Sequence, residues 1–229
     1  MTARRLLVVD NALDHGFYRP LEHWAAAAGG SGLQLDSVHP PSGEHLPRAG
    51  LHSHVILTGC EGSIVKRPAW AEREASWVAE CVRAGCRVLG SCWGHQLIAV
   101  ALAGPASVRR CARPEFGWLR IEVADGGGLL EEGFSAFVSH FDEVIPGCSE
   151  ALRVLASTAD CAVHAFRWAD LPVWGIQAHP EVGVADGRAF LAGALERWPE
   201  HAALSERGLA AEPADSRIAP ALVDRFLQY

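Results

Sequence analysis

The cysteine in the stretch VLGSCWGHQLIAVALAG, residues 88–104, has a sequence environment suited to a nucleophile. Cys92 follows an apolar run typical of a buried strand and precedes a stretch with a helical pattern. A sharp strand-to-helix turn flanked by Gly90 and Gly94 is the geometry of a nucleophile elbow. Free N–H groups and the positive end of the helix dipole would then favour the thiolate. Because buried cysteines are also common as small apolar core residues, Cys92 needs partners before it indicates chemistry.

The stretch WGIQAHPE, residues 174–181, offers the base and the orienting group that a nucleophilic cysteine requires. If its apolar run is a strand that ends just before His179, this histidine lies at the carboxyl edge of the sheet, as Cys92 does. Pro180 favours an extended backbone at His179, and a turn there brings Glu181 to the far ring nitrogen. Glu181 would set the tautomer and stabilise the imidazolium. Taken alone, His179 could equally be a core or surface histidine.

A third requirement is a pair of N–H donors for the oxygen that becomes negative during the reaction. The amide of Trp93, directly after the cysteine, is one candidate. The glycine-rich stretch LTGCEGSIVKRPAW, residues 57–70, follows another apolar strand, and the amide of Cys60 is the second candidate. Glycine-rich loops after strands are often only turns, so this assignment depends on where the fold places the loop.

Strands and helices must alternate to bring these residues to one edge of a sheet. Apolar runs predict strands at residues 6–10, 33–39, 54–59 and 86–90, and apolar periodicity predicts helices at 18–28, 69–84 and 94–103. Short strands and turns dominate residues 116–178, and helical patterns return at 185–197 and 218–228. We therefore expect an α/β fold with an open, mostly parallel sheet flanked by helices and a β-rich second half. Ligands of such sheets bind beyond the carboxyl ends of the strands.

The composition is that of a chain with a sizeable buried core. The 229 residues are 49% hydrophobic, and we expect one domain over residues 1–229 with a helical C-terminal extension at about 199–229. No apolar run approaches the ~18 residues that span a membrane, and the N-terminal segment lacks the pattern of a signal peptide. Seven cysteines without a C-x-x-C motif indicate reduced thiols in a cytoplasmic protein. The net charge of −7 argues against nucleic acid or an anionic membrane as a partner.

Two motifs carry a resemblance to a known family. Residues 90–96, GSCWGHQ, match the G-x-C-x-G-x-Q motif around the nucleophile of class I glutamine amidotransferases, and residues 175–181, GIQAHPE, match their G-x-Q-x-H-P-E motif. The order and separation of the motifs also agree, and the resemblance covers roughly residues 5–195. The segments RPEFGW and SHFDEV are similar to the glutaminase domain of GMP synthase and to plant γ-glutamyl peptidases.

The resemblance implies a three-layer, flavodoxin-like fold and a catalytic triad of Cys92, His179 and Glu181. It implies that Cys92 attacks the γ-carbonyl of glutamine or of a γ-glutamyl group, that His179 protonates the leaving amine, and that water hydrolyses the thioester. Gln96 should help to hold the glutamyl group. Asp142 should meet its α-ammonium, although a solvated loop acid is the alternative. No cofactor is implied, and the histidines lack a metal-binding spacing.

The chain departs from the family at the oxyanion loop, which usually reads G-G-P-G-S and here reads GCEGS, residues 59–63. A side chain at Cys60 restricts the backbone freedom that glycine has, so the donor site is either permanently formed or set differently. Glu61 places an acid where proline is usual. It attracts a cationic part of the substrate or leaving amine, or it lies in solvent.

These observations leave three functions open. The first is a stand-alone hydrolase of γ-glutamyl amides, since the stretch around the motifs contains no synthetase segment. The second is a glutaminase subunit that delivers ammonia to a separate synthetase partner docked over Cys92. The third, a non-catalytic binding module, is disfavoured by the intact Cys-His-Glu set. The substrate in either enzymatic case is a small molecule.

Overall fold

The computed structural model describes residues 5–30 and 32–229, so the first four residues of the N-terminal segment considered above lie outside the description. Within the described residues the chain forms nine strands and six α-helices. The strands are β1 (Arg5–Val9), β2 (Gln34–Val38), β3 (His54–Leu57), β4 (Arg87–Ser91), β5 (Val108–Val123), β6 (Phe134–Val144), β7 (Leu152–Ser157), β8 (Ala165–Trp168) and β9 (Val173–Ile176). The helices are α1 (Pro20–Ala28), α2 (Ala69–Arg83), α3 (Trp93–Ala103), α4 (Val184–Arg197), α5 (Ala202–Ala210) and α6 (Ala219–Gln228).

The described strands form a mixed sheet in the order β2-β1-β3-β4-β9-β8-β7-β5-β6. The five strands from β2 to β9 are parallel, and each pair from β9 to β6 is antiparallel. The predicted α/β class is confirmed, with the parallel arrangement confined to one half of the sheet. Because β9 pairs with β4, the chain segments that follow these two strands emerge side by side.

Helices cover both faces of the parallel half, which gives the three layers. Successive residues of a strand point to opposite faces. Leu7 and Val9 of β1 therefore pack in one apolar cluster with residues of α2 and α3, whereas Leu6 and Val8 pack in another with residues of α1 and α6. None of the helices in the described residues is long and apolar enough to cross a membrane.

The second half of the chain differs from expectation at the start of β5. Strand β5 begins at Val108 instead of near residue 116, and its first part carries mostly exposed or half-exposed polar side chains. A register shift between Arg110 and Glu115 interrupts its pairing with β6. This charged and irregular segment lacks the alternation from which a strand can be predicted. Helix α5 lies within the segment of about 199–229 that was expected to be helical.

We propose that residues 1–229 form one domain, because the C-terminal helix shares the core of the sheet. Helix α6 buries Leu222, Val223 and Phe226 in the same apolar cluster as Leu6 and Val8 of the first strand. Phe226 is fully buried and meets the Trp174 ring edge-on, with 6.2 Å between ring centroids.

Replacing Phe226 with alanine should lower the free energy of unfolding by about 3–5 kcal/mol, because a buried aromatic side chain is lost and a cavity remains. Urea denaturation of the purified variant measures the change. Gln228→Ala, an exposed position on the same helix, is the control and should change stability little. A Phe226→Ala variant as stable as the control would mean that α6 is a loosely attached extension.

Candidate active site

Cys92 occupies a strained turn between β4 and α3. Its backbone has φ 45° and ψ −105°, a left-handed value that non-glycine residues rarely adopt. A Cβ atom on Gly90 would collide with the Gly94 backbone, and one on Gly94 would collide with the Leu57 carbonyl. The two glycines flanking Cys92 are therefore required by close backbone approach, and the turn has the form of a nucleophile elbow.

The Cys92 side chain is buried, with 5% of the residue exposed, and it lines a pocket of about 240 Å³. The Cys92 N–H donates to the Ile176 carbonyl oxygen at 2.8 Å, which joins the elbow to β9. Its sulfur lies 3.7 Å from the Ser139 carbonyl oxygen of β6. The thiol thus stands at the junction of the parallel and antiparallel halves of the sheet.

His179 and Glu181 lie beside Cys92 at the same edge. Strand β9 ends at Ile176, two residues earlier than expected, and the His179 N–H instead donates to the Phe137 carbonyl oxygen of β6 at 2.8 Å. Nδ1 of His179 lies 2.9 Å from Oε1 of Glu181. The Cys92 sulfur is close enough to the His179 ring to act on the charge of the imidazole. The three predicted residues are therefore in contact in a row: thiol, imidazole, carboxylate.

The charges around His179 favour its protonated form. Burial by itself would lower the pKa of His179, but the negative charges of the Cys92 thiolate and the Glu181 carboxylate, and hydrogen bonds to both, raise it to about 10. A protonated imidazole next to the cysteine is an acid that can give its proton to a bound molecule.

Tyr18 is a part of the site that the sequence did not indicate. Its hydroxyl donates to Oε1 of Glu181 at 2.8 Å and lies 3.2 Å from Nδ1 of His179. Tyr18 is 5% exposed, and burial, followed by the charge of Glu181, raises its pKa well above the usual value, so it remains a donor. It lies in a loop before α1 and is separated from Glu181 by 163 residues. No spacing rule connects two such positions.

The loop between β3 and α2 lies against the imidazole. A Cβ atom on Gly59 would come within 2.6 Å of Cε1 of His179, so glycine is needed there. Cys60 and Trp93, the two residues expected to supply N–H donors, both line the pocket. The Cys60 sulfur turns back to its own loop and accepts the Gly62 N–H at 3.3 Å. Burial raises the pKa of the Cys60 thiol, which keeps it neutral.

Gln96 and Asp142 line the pocket but already have protein partners. Nε2 of Gln96 donates to the Asp142 carbonyl oxygen at 2.7 Å and to Oε1 of Gln177 at 3.0 Å. Oδ2 of Asp142 accepts the Ser63 hydroxyl at 2.6 Å, and Oδ1 accepts Nη1 of Arg110 at 2.9 Å. Asp142 is buried and not a solvated loop acid, and it connects β6 to the loop after β3.

Glu61 lines the pocket and makes contacts within the protein that the sequence did not indicate. Its carboxylate oxygens accept the backbone N–H groups of Leu13 at 2.8 Å and Asp14 at 3.1 Å. The side chain is half-buried, and this burial raises its pKa. Glu61 therefore joins the loop after β3 to the loop after β1. The expected contact between Glu61 and a cationic group of the substrate stays a prediction.

Aromatic side chains line the mouth of the pocket, and some of them belong to the segment after α4. Trp198, Glu200 and His201 line it. The His201 ring lies 4.4 Å from the Phe141 ring between centroids, and the Arg110 guanidinium lies 5.1 Å from the centre of that Phe141 ring. A bound molecule that extends outward from Cys92 would therefore meet flat side chains and a carboxylate.

Two groups of side chains within the described residues have atoms spaced closely enough to hold a metal ion, although no histidine spacing predicted one. One comprises Asp10, His15 and His39, and the other comprises Glu115, His140 and His164. Within the second group His140 Nε2 lies 2.9 Å from Glu115 Oε2. Burial alone would raise the pKa of Glu115, but the hydrogen bonds to His140 and Thr158 and the nearby His164, 3.6 Å away, hold it well below its usual range. In the first group His15 Nε2 lies 2.9 Å from Asp10 Oδ2, whereas His39 Nε2 lies 2.8 Å from the Ala12 carbonyl oxygen. The absence of a metal stays a prediction.

Comparison with known proteins agrees with this geometry. The family model "Glutamine amidotransferase class-I" matches residues 50–193. The glutamine-hydrolyzing GMP synthase subunit of Methanothermobacter thermautotrophicus is 32% identical over 182 residues, which are 77% of this chain and 88% of that protein. The chain belongs to the class I glutamine amidotransferase family, as its two motifs indicated. A glutamine amidotransferase from Thermotoga maritima shares the fold over 100% of this chain and 97% of its own, with a TM-score of 0.73 and 18% identity.

Other relatives match this chain over only a part of their own length. Glutamine-hydrolyzing GMP synthase of Aeropyrum pernix is 39% identical over 167 residues, which are 68% of this chain and 30% of that enzyme. The glutamine-hydrolyzing GMP synthase subunit of Saccharolobus solfataricus is 44% identical over 99 residues, or 42% of this chain and 50% of that protein. The chain thus spans between 30% and 50% of the length of these two relatives.

Replacing Cys92 with serine should lower the pKa of His179 from about 10 toward its ordinary value, because the neighbouring negative charge is removed. Titration of the imidazole by NMR measures the pKa. Glu181→Gln should shift it in the same direction. A pKa of His179 that stays the same in both variants would contradict the charged row of thiol, imidazole and carboxylate. His45, an exposed histidine outside the pocket, is the internal control.

Proposed function

We propose that this protein hydrolyses the amide bond of glutamine, or of a γ-glutamyl amine, through a glutamyl thioester on Cys92. The observation that carries the proposal is the row of Cys92, His179 and Glu181, in which a buried imidazole contacts a thiol on one side and a carboxylate on the other. The relatives are named glutamine-hydrolyzing, which supports the γ-amide as the bond that is cleaved.

In the first half of the reaction the Cys92 thiolate attacks the γ-carbonyl carbon. The carbonyl oxygen becomes negative and accepts the backbone N–H groups of Cys60 and Trp93, two residues that line the same pocket as the sulfur. The tetrahedral intermediate collapses as His179 gives its proton to the leaving nitrogen. The C–N bond breaks, ammonia or an amine departs, and the glutamyl group remains on sulfur.

In the second half a water molecule replaces the leaving group. His179, now neutral, takes a proton from that water while the oxygen attacks the thioester carbon. The C–S bond breaks, glutamate is released, and the thiolate and imidazolium are restored. Glu181 and Tyr18 hold Nδ1 throughout, so that the proton moves only at the other ring nitrogen.

The glutamyl group itself needs partners for an ammonium and a carboxylate. Asp142 and Arg110 lie next to each other in the pocket wall, 2.9 Å apart, and offer one charge of each sign. In our proposal the α-ammonium lies by Asp142 and the α-carboxylate by Arg110, whose side chain is 53% exposed and has room to adjust. Gln96 holds the Asp142 backbone in place and contacts the glutamyl group at the same wall.

A leaving amine larger than ammonia is supported by the mouth of the pocket. Trp198, Glu200 and His201 line this mouth and lie beyond residue 193, where the family match ends. An organic amine would pack on the Trp198 and His201 rings. We therefore favour the hydrolase of γ-glutamyl amines, and this contact surface is the reason.

The second candidate is a glutaminase subunit that passes ammonia to a synthetase partner. The names of the relatives favour it, since several are separate subunits of GMP synthase. In that case the same aromatic mouth would be the surface on which the partner docks. The chemistry at Cys92 is common to both functions.

Cys92→Ala should abolish hydrolysis, with a loss on the order of 10³-fold or more, because no neighbouring group can form the covalent intermediate. Glutamate release from glutamine and from γ-glutamyl amines measures the effect. Unfolding in urea, which should match the wild type, shows that the fold is retained. Activity that survives in Cys92→Ala would overturn the proposed mechanism.

Iodoacetamide should label Cys92 before the other six cysteines, because the thiolate is the reactive form. Cys86 is the matched control, since a hydrogen bond from Cys81 lowers its pKa to about 7 although it is buried away from the pocket. Cys86→Ser should be alkylated and inactivated at the wild-type rate. Faster labelling of Cys86 than of Cys92, with activity retained, would count against the assignment.

The two candidate functions predict different kinetics for the protein by itself. A hydrolase should cleave a γ-glutamyl arylamide or alkylamide at a kcat/KM at least about tenfold above that for glutamine, because contacts with the leaving amine add transition-state binding. Trp198→Ala should remove this preference and spare glutamine. A protein that is silent on all substrates until a synthetase protein is added would support the ammonia donor instead.

A further inference from the structure

The buried carboxyl group of Glu74, which the reaction does not use, lies behind the oxyanion loop. Glu74 is on α2 and has no exposed surface. Asn11, which follows β1, has no exposed surface either. Nδ2 of Asn11 donates to Oε1 of Glu74 at 3.1 Å. The remaining oxygens of the two side chains, Oε2 of Glu74 and Oδ1 of Asn11, are buried and have no hydrogen-bond partner among the described residues.

Two buried acceptor atoms without a donor cost free energy. One proton between these two oxygen atoms satisfies both of them. An ionised Glu74 would place a negative carboxylate in an apolar interior without an arginine, lysine or histidine paired to it in the described part of the chain. A neutral carboxylic acid has one O–H donor, whereas an amide oxygen is an acceptor. We propose that Glu74 is protonated and forms a cyclic acid–amide pair with Asn11, and that this neutral pair positions the oxyanion loop for the reaction proposed above.

The path from this pair to the loop is short and buried. The Asn11 N–H donates to the Thr58 hydroxyl oxygen at 2.9 Å, and that hydroxyl donates to the Gly59 carbonyl oxygen at 3.1 Å. The Thr58 carbonyl accepts the Gly94 N–H at 3.1 Å, which joins the same strand end to the elbow helix. Because Gly59 lies directly against the His179 ring, displacement of Asn11 moves the N–H donor of Cys60 relative to the reacting atoms.

Glu74 is thus a positioning residue, and its support of the oxyanion loop depends on the protonation of its carboxyl group. Burial raises its pKa to about 8, and the hydrogen bond from Asn11 offsets this only in part. The neutral pair contributes fully below the ordinary pKa of a glutamate, and its contribution is lost as the pH rises through about 8. An ionised Oε2 then repels the Asn11 carbonyl oxygen, and the loop loses its support.

The other titratable groups near Glu74 do not supply a competing charge. From the oxyanion loop comes the Cys60 thiol, which burial keeps neutral by raising its pKa. Asp10, next to Asn11, pairs with His15 at 2.9 Å. On α2 itself Glu72 is exposed and pairs with Arg67 at 2.8 Å.

The test compares the pH profiles of kcat for the wild type, Glu74→Gln and the control Glu72→Gln. A glutamine at position 74 reproduces the neutral acid, with an N–H donor in place of O–H, and cannot ionise. In the wild type and Glu72→Gln, kcat should fall at least about fivefold with a midpoint near pH 8. In Glu74→Gln the fall should move toward pH 10, where His179 loses its proton. Identical alkaline limbs in all three proteins would overturn the proposal.

An infrared measurement separates this inference from the proposed function. The wild type at pH 6 should show the C=O stretching band of a buried protonated carboxylic acid, absent from Glu74→Gln, which disappears with a midpoint near pH 8. The band can be observed whether or not the protein is active. Its disappearance with rising pH can be followed in the wild type alone, even if a variant does not fold. Inactivity on every amide with the band present would refute the proposed function alone. A spectrum without the band would refute the acid–amide pair.

Discussion

The site depends on one close packing of backbones, where β3, β4 and the first turn of α3 meet. Side chains cannot be accommodated at Gly90 or Gly94, because the strand and helix backbones approach too closely. This contact holds Cys92 at a positive φ angle, at the carboxyl edge of the parallel strands. The strain is local, and the regular parallel pairing on either side of β4 keeps it in place.

Parallel and antiparallel halves of the sheet contribute different parts of the site. The parallel half supplies Cys92 at the end of β4 and the loop with Gly59 and Cys60 at the end of β3. The antiparallel half supplies the carbonyl group of β6 that holds His179 and the Asp142 carboxylate that holds the loop after β3. The pocket therefore lies at the junction, and its shape requires both halves. A buried charge at such a junction needs a partner, and Oε1 of Glu181 has two, His179 and Tyr18.

Buried polar groups connect the reacting atoms to the rest of the molecule in two directions. On one side Tyr18 and Glu181 hold the imidazole. On the other, Glu74, Asn11 and Thr58 form a chain of hydrogen bonds under the oxyanion loop. Networks of this kind are rigid when every donor and acceptor is satisfied, and an unsatisfied member is costly. The position of a single proton on Glu74 therefore bears on the geometry of a loop that it does not touch directly.

Local signals in the sequence were enough to locate many of the elements. Apolar runs located the parallel strands, and helical periodicity located α2 and α4. The motifs around Cys92 and His179 indicated the family and the row of Cys92, His179 and Glu181. The long-range partners, in contrast, emerged from the three-dimensional packing. Glu61 joins Leu13 and Asp14, Tyr18 reaches Glu181, and β9 ends early because His179 pairs with β6. Glycine and apolar patterns constrain the chain near themselves, whereas a buried hydrogen bond between distant residues depends on the packing of every element between them and leaves no spacing in the sequence.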